Sequence, residues 1–181
     1  QLSSLYSLID DYSKALSSLD ISRIAKLDLK ESEYLRLIGW LRHGNVPYKA
    51  AEILYKKIQS KEIQSSEKNL NYLGDLYYEA KAYDKAIKSY TQAAKIDNNG
   101  KIYYKIAQIS MSQYKYQAVI ENIKLSLKFE NKEKLGDKYL LLGKTYYELK
   151  KSSQAKKAFE NARKYKKSEK MANAWLKYIR F

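Results

Sequence analysis

Cysteine is absent from the 181 residues, while proline and histidine each occur once and glycine six times. Without thiols there are no disulfides, no iron–sulfur clusters and no zinc-finger chemistry. With so little proline and glycine, few points force a helix to stop, which argues against a β-sandwich, collagen or a disordered linker. No run of about 18 apolar residues is present, so no segment is long enough to cross a bilayer as a helix. A Gly-rich phosphate loop, a metal-ligand cluster and a nucleophile elbow are missing too. What remains is rich in Lys, Leu, Ala, Ile and Tyr, with 45% apolar residues, enough for a sizeable core. This is the composition of a helical protein, and the length suits one compact domain or one short repeat array. The chain starts at Gln1 without Met and shows no signal peptide, and it is expected to be a fragment or a processed form.

Self-similarity is the strongest positive signal. Leu70, Leu73-Gly74, Tyr77, Ala86, Tyr90 and Ala93 recur in the same spacing as Tyr139, Leu142-Gly143, Tyr146, Ala155, Phe159 and Ala162. A third copy reads Leu35, Ile38-Gly39, Ala51, Tyr55 and Ile58, with Arg42 in the aromatic slot. Two looser copies are Tyr103, Ile106-Ala107, Ser110, Val119, Ile123, Ser126 and Leu2-Ser3, Tyr6, Ala15, Leu19, Ser22. The small residues Ser3, Gly39, Gly74, Ala107 and Gly143 are separated by 36, 35, 33 and 36 positions. A small residue on the first helix of each pair, as at Gly74 or Gly143, lets the second approach, and Ala86 or Ala155 meets it there. The aromatics Tyr77, Tyr90, Tyr146 and Phe159 fill the wedge between them.

The turns fit this spacing. Breaks are expected within repeats at 43–47, 80–84, 112–117 and 150–154, and between repeats at 59–68, 97–100 and 129–137. Pro47 suits the first turn of a helix, Asp84 and Ser153 are candidate N-caps, and Asp97-Asn98-Asn99-Gly100 is a stop signal. The pattern predicts one array over 1–181: a copy at about 1–30 that begins inside its first helix, then 31–65, 66–99, 100–135 and 136–168. A closing helix at 168–181 carries an apolar stripe of Met171, Ala174, Trp175 and Tyr178. The natural protein is expected to continue upstream with more repeats.

The spacing resembles the tetratricopeptide repeat (TPR), a helix–turn–helix unit of roughly 34 residues. The resemblance implies an all-α, right-handed solenoid of antiparallel helix pairs with a C-terminal capping helix. Narrower phrases, namely Gly44 to Ala51, Glu67-Lys68-Asn69-Leu70, Tyr139 to Gly143 and Trp175-Leu176-Lys177-Tyr178, resemble the TPR proteins that accompany the TonB system of Gram-negative bacteria. That resemblance implies a periplasmic accessory protein acting with TonB, ExbB and ExbD, and it transfers no catalytic residues. The cytoplasm is the alternative compartment, since a chain without Cys is compatible with both.

In such an array the first helices line the concave side. Counting from the small slot places Arg36, Trp40 and His43 on that strip, then Asn71, Asp75 and Tyr78, then Tyr104, Gln108 and Met111, then Leu140, Lys144 and Tyr147. Aromatics, amides and a few charges suit an extended peptide or a partner helix. A clamp for a C-terminal carboxylate is disfavoured by Asp75, which would repel it. His43 lies beside Gly44 at a turn, and no partner that would make it a general base is evident. No enzyme activity and no cofactor are expected.

Charge is uneven: residues 1–90 hold 14 basic and 12 acidic side chains, whereas residues 91–181 hold 21 and 8. The densest basic patch comprises Lys150, Lys151, Lys156, Lys157, Arg163, Lys164, Lys166 and Lys167. Its bland reading is a solvated convex face. The alternatives are an acidic protein partner, an anionic membrane surface or, least favoured, nucleic acid. The oligomeric state is open.

Overall fold

The computed structural model describes Ser17 and residues 30–129 and 134–179. The copy expected at 1–30 therefore falls almost wholly outside the described residues, as does the end of the closing helix at 180–181. Among the described residues lie nine helices: α1 (Glu31–His43), α2 (Pro47–Gln59), α3 (Glu67–Glu79), α4 (Tyr83–Asp97), α5 (Gly100–Ser112), α6 (Tyr116–Phe129), α7 (Leu135–Glu148), α8 (Ser152–Arg163) and α9 (Lys166–Tyr178). By its contacts the chain divides into two compact units, 1–93 and 94–181.

Each hairpin turn has one geometry. The first helix closes with a residue in the left-handed region: Asn45, Lys81, Tyr114 or Lys150, with φ of 58, 58, 57 and 56°. Around Lys81, the Ala80 and Ala82 amides donate to the Leu76 and Tyr77 carbonyls at 3.0 and 2.8 Å. Around Lys150, the Leu149 and Lys151 amides bond to Thr145 and Tyr146 in the same way. These bonds satisfy carbonyls that a helix end would otherwise orphan. The cost is a non-glycine residue in a conformation about 1–2 kcal/mol less favourable than the right-handed one.

Two expected N-caps move. Asp84 and Ser153 lie inside the first turns of α4 and α8, and Lys151 occupies the N-cap of α8 without a side-chain cap bond. Ser66 and Asn99 are the residues that cap, their side chains accepting from the Asn69 and Lys101 amides. Pro47 stands at the first position of α2, where its missing amide costs nothing.

In unit 1, α1 packs on α2 and α2 on α3. Gly74 of α3 faces the Tyr90 ring of α4: a Cβ there would lie 2.4 Å from Cδ1 and 2.5 Å from Cε1. The first described hairpin does not repeat this. A Cβ at Gly39 meets nothing within 4 Å among the described residues, and Tyr55 is exposed. Counted from the left-handed turn residue, Ile38 and Leu54 stand where Gly74 and Tyr90 stand, and both are fully buried. The expected register of this copy is thus one residue late. Gly39 mimics the small slot, but the positions of the crossing hold two fully buried aliphatic side chains, Ile38 and Leu54.

In unit 2, α5 pairs with α6 and α7 with α8, while α9 packs on α8 and on α7. Ala107, Val119, Ile123, Leu142 and Ala158 form one core cluster, and Leu140, Ala155, Phe159, Ala162, Ala172 and Ile179 a second. A Cβ at Gly143 would lie 2.6 Å from Phe159 Cε1. Gly136 is needed for a different approach, since a Cβ there would meet Ser168 Oγ at 2.4 Å where α9 begins. Beside it, the Ser168 hydroxyl donates to Asp137 Oδ1 at 3.0 Å. The buried line of α9 runs through Ser168 and Ala172 and on to Ile179 just past its end, with Trp175 partly buried. The expected stripe is corrected accordingly: Met171, Ala174 and Tyr178 are exposed, because α9 turns its small residues towards α7 and α8.

Candidate functional site

The first helices of unit 1 present a polar and aromatic face. Tyr78 is 50% exposed, with its ring 5.9 Å from that of Tyr83. Asn71 and Asp75 are half-buried. Asp75 Oδ1 accepts the Tyr90 hydroxyl at 2.6 Å, so this carboxylate steadies the ring that fills the hairpin. Burial first, and Asp75 second, push the Tyr90 hydroxyl well above the usual phenol range.

The α1 strip shifts with its register. Arg36 and His43 are exposed, but Trp40 is 9% exposed and belongs to the core. Counted from Asn45, the residues equivalent to Asn71, Asp75 and Tyr78 are Leu35, Gly39 and Arg42. Arg42 forms a bidentate ion pair with Glu79 of α3 and stands 5.6 Å over the Tyr72 ring. The repeat spacing places Arg42 in an aromatic slot. Asn45, a residue type that tolerates the left-handed region, was the signal that would have set the count.

In unit 2, Gln108 is exposed, while Tyr104 and Met111 are partly buried and pack against the first core cluster. Thr145 Oγ1 approaches the Met111 sulfur at 3.7 Å. Leu140 is buried, and Lys144 and Tyr147 are half-buried. Tyr147 meets α9: its ring lies 5.3 Å from Trp175 and 6.0 Å from Tyr178. A hydrogen bond with Tyr178 is the main reason its hydroxyl titrates above the usual range.

Beneath this face lies Lys138, fully buried, its ammonium 5.9 Å from the centre of the Tyr104 ring. Burial, reinforced by the positive charge of Lys101, lowers its pKa to about 8. Burial and the charge of Asp137 push Tyr104 up to about 12. Nothing in the repeat spacing marked Lys138.

The second helices carry two hollows of about 490 Å³ each. One lies between α2 and α4 in unit 1, where Lys85 donates to Glu52 at 2.8 Å and to Tyr48 at 2.9 Å. Tyr77 donates to the same Glu52 oxygen at 2.9 Å, and these bonds, that of Lys85 foremost, hold Glu52 below the usual carboxylate range. The other is an open basin on α8, lined by Lys157, Glu160, Asn161, Arg163 and Lys164. All eight residues of the expected basic patch are exposed. Lys150 and Lys151 form the α7–α8 turn, Lys156, Lys157 and Arg163 lie on α8, Lys164 follows it, and Lys166 and Lys167 open α9. Among the described residues, no group of His, Asp and Glu is placed to hold a metal ion, and no helix is long and apolar enough to cross a membrane.

Residues 68–99 match the tetratricopeptide repeat family. The matched segment comprises nearly all of α3 and the whole of α4, the hairpin closed by Gly74 against Tyr90. None of the curated proteins compared matches the chain. Among solved structures, MamA is similar with a TM-score of 0.70 at 20% identity, over 96% of this chain and 98% of that one. YrrB, described as a TPR protein with an unusual peptide-binding site, is similar with a TM-score of 0.70 at 12% identity, over 97% and 88%. The C-terminal part of a TPR repeat-containing protein from Cytophaga hutchinsonii gives a TM-score of 0.69 at 15% identity, over 96% and 67%. At these identities the likeness shows the fold, an all-α helical repeat.

Proposed function

We propose that this protein is a non-enzymatic scaffold that holds a segment of a partner polypeptide on the exposed face of its first helices. One observation carries the reading. A tetratricopeptide repeat leaves Tyr78 half in solvent on a face that also carries Asn71 and the Arg42–Glu79 ion pair. Half-exposed aromatics beside Arg and amides are the usual anchors of polypeptide recognition. The peptide-binding site named for YrrB supports the same use of this fold. On the resemblance of residues 44–51 and 175–178, we place the partner in the cell envelope, among TonB-system components, and the protein in the periplasm. That finer assignment rests on the resemblance alone.

The test uses Tyr78→Ala with Gln108→Ala, two exposed positions outside the core clusters. Partners that co-purify with the tagged chain from its own source cells are expected to fall at least about tenfold, with circular dichroism unchanged. Undiminished recovery with the fold intact rejects this face as the binding surface.

A further inference from the structure

Unit 2 carries an exposed apolar cluster that the repeat pattern does not require. Met171 is 50% and Tyr178 68% exposed, on the same side of α9 as Ala174. Tyr178 is 6.0 Å from Tyr147, a first-helix strip residue, and 5.8 Å from Trp175, edge to face. Trp175 itself is fixed from behind, stacked on Phe159 at 5.3 Å with the rings 5° from parallel. Three aromatic rings in mutual contact, one of them anchored in the core, make a rigid platform that loses little entropy on binding.

The rim of this platform is mainly cationic, with exposed Glu148 beside Tyr147 as an acid on it. Lys167 and Lys170 stand one turn before Met171 and Ala174, Lys177 one turn after Ala174, and Lys144 one turn before Tyr147. No acidic residue occurs in α9 after Glu169. A second copy of a chain of net charge +15 would be repelled from such a rim.

We propose that the α7–α9 face of unit 2 is a docking site for an acidic peptide segment, its apolar side chain seated on Met171 and Tyr178 and its carboxylates paired with Lys144 and Lys170. This deepens the scaffold reading and rests on it, since it assigns a chemical class to the partner of one part of the first-helix face. Lys167 and Lys177 extend the field along the segment. Rim charges of this kind set association rate, salt dependence and choice of partner more than raw affinity.

The probe is a synthetic 12-residue peptide alternating Glu and Leu, titrated into the full chain and followed by Trp175 emission. The other tryptophan, Trp40, is buried in unit 1 and supplies a constant background. Saturable binding is expected, weakened about tenfold by Lys144→Glu with Lys170→Glu, and also by raising salt from about 0.05 to 0.5 M. Tyr178→Ala should weaken it comparably, whereas Tyr55→Ala, at an exposed tyrosine on a second helix of unit 1, should leave it unchanged. A peptide with Lys in place of Glu that binds equally well overturns the acidic partner while leaving the scaffold reading standing. Displacement of the acidic peptide by phosphatidylglycerol vesicles or a 20-nucleotide single strand, at lower concentration than the peptide itself needs, also overturns it in favour of that polyanion. Binding unaffected by the Lys144, Lys170 and Tyr178 variants removes the site.

Discussion

Gly143→Ala is expected to destabilise the protein by about 2 kcal/mol, although alanine is the better helix former by about 1 kcal/mol. The added methyl would lie 2.6, 2.7 and 2.8 Å from three atoms of the Phe159 ring. That ring has no room to retreat, because it is fully buried and lies flat against Trp175. The same holds at Gly74, where Tyr90 is buried and pinned through its hydroxyl by Asp75. Gly39→Ala is the internal control: its methyl meets nothing within 4 Å among the described residues, so the propensity gain should show as a rise in stability. Urea unfolding of the three variants checks this. A Gly143→Ala protein as stable as the wild type would mean that the helix crossing is not set by side-chain size.

Lys138→Met should stabilise the protein by about 1–2 kcal/mol at pH 7, since burial lowers the ammonium pKa from 10.5 to about 8 and solvent screening reduces the cost that this shift implies. The sign follows from proton counting. The folded state releases the Lys138 proton at lower pH than the unfolded chain does. Between about pH 8 and 10.5 the unfolded chain therefore binds more protons, and stability rises with pH. Below pH 8 both states are charged and the penalty is constant. Above about pH 10 the buried phenols of Tyr90 and Tyr104 reverse the trend, because the folded state holds them neutral while the unfolded chain ionises. Wild-type stability should thus climb from pH 8 to 10, and the Lys138→Met profile should lack that climb. Parallel profiles for the two proteins over pH 7–10 would show that Lys138 does not titrate in this window.

Helix number and turn positions among the described residues could be read from the sequence because the signals were redundant. Gly74 with Tyr90 and Gly143 with Phe159 recur at one spacing, and each pair is in contact in the folded chain. The first described hairpin was misread by one residue because Gly39, one position after Ile38, imitates the small slot. Composition cannot tell a glycine that admits a ring from one whose Cβ would meet nothing within 4 Å among the described residues. Only the turn geometry at Asn45 resolves them, and that moves Trp40 into the core and Arg42 onto the face. Asp84 and Ser153 are not at the N-cap positions because α4 and α8 begin one residue before them, at Tyr83 and Ser152.

The face itself was only half legible. Helical spacing names residues that share a side, which is how Tyr78, Gln108 and Tyr147 were found. It does not reveal that Tyr104 and Met111 are drawn into the core, nor that α9 supplies Tyr178 beside Tyr147. Lys138 was invisible because the equivalent positions, counted from the left-handed turn residues, hold Glu33, Asn69 and Ile102, residues with no chemistry in common.

Site-specific photo-crosslinking in the source cells tests the scaffold most directly. A photoreactive residue is placed at Tyr78 or Gln108 on first helices, and at Gln92 or Lys124 on second helices, all four exposed. The expected result is a discrete polypeptide adduct from positions 78 and 108 and none from 92 and 124. Adducts from the second-helix positions alone, or equal labelling from all four, would contradict it.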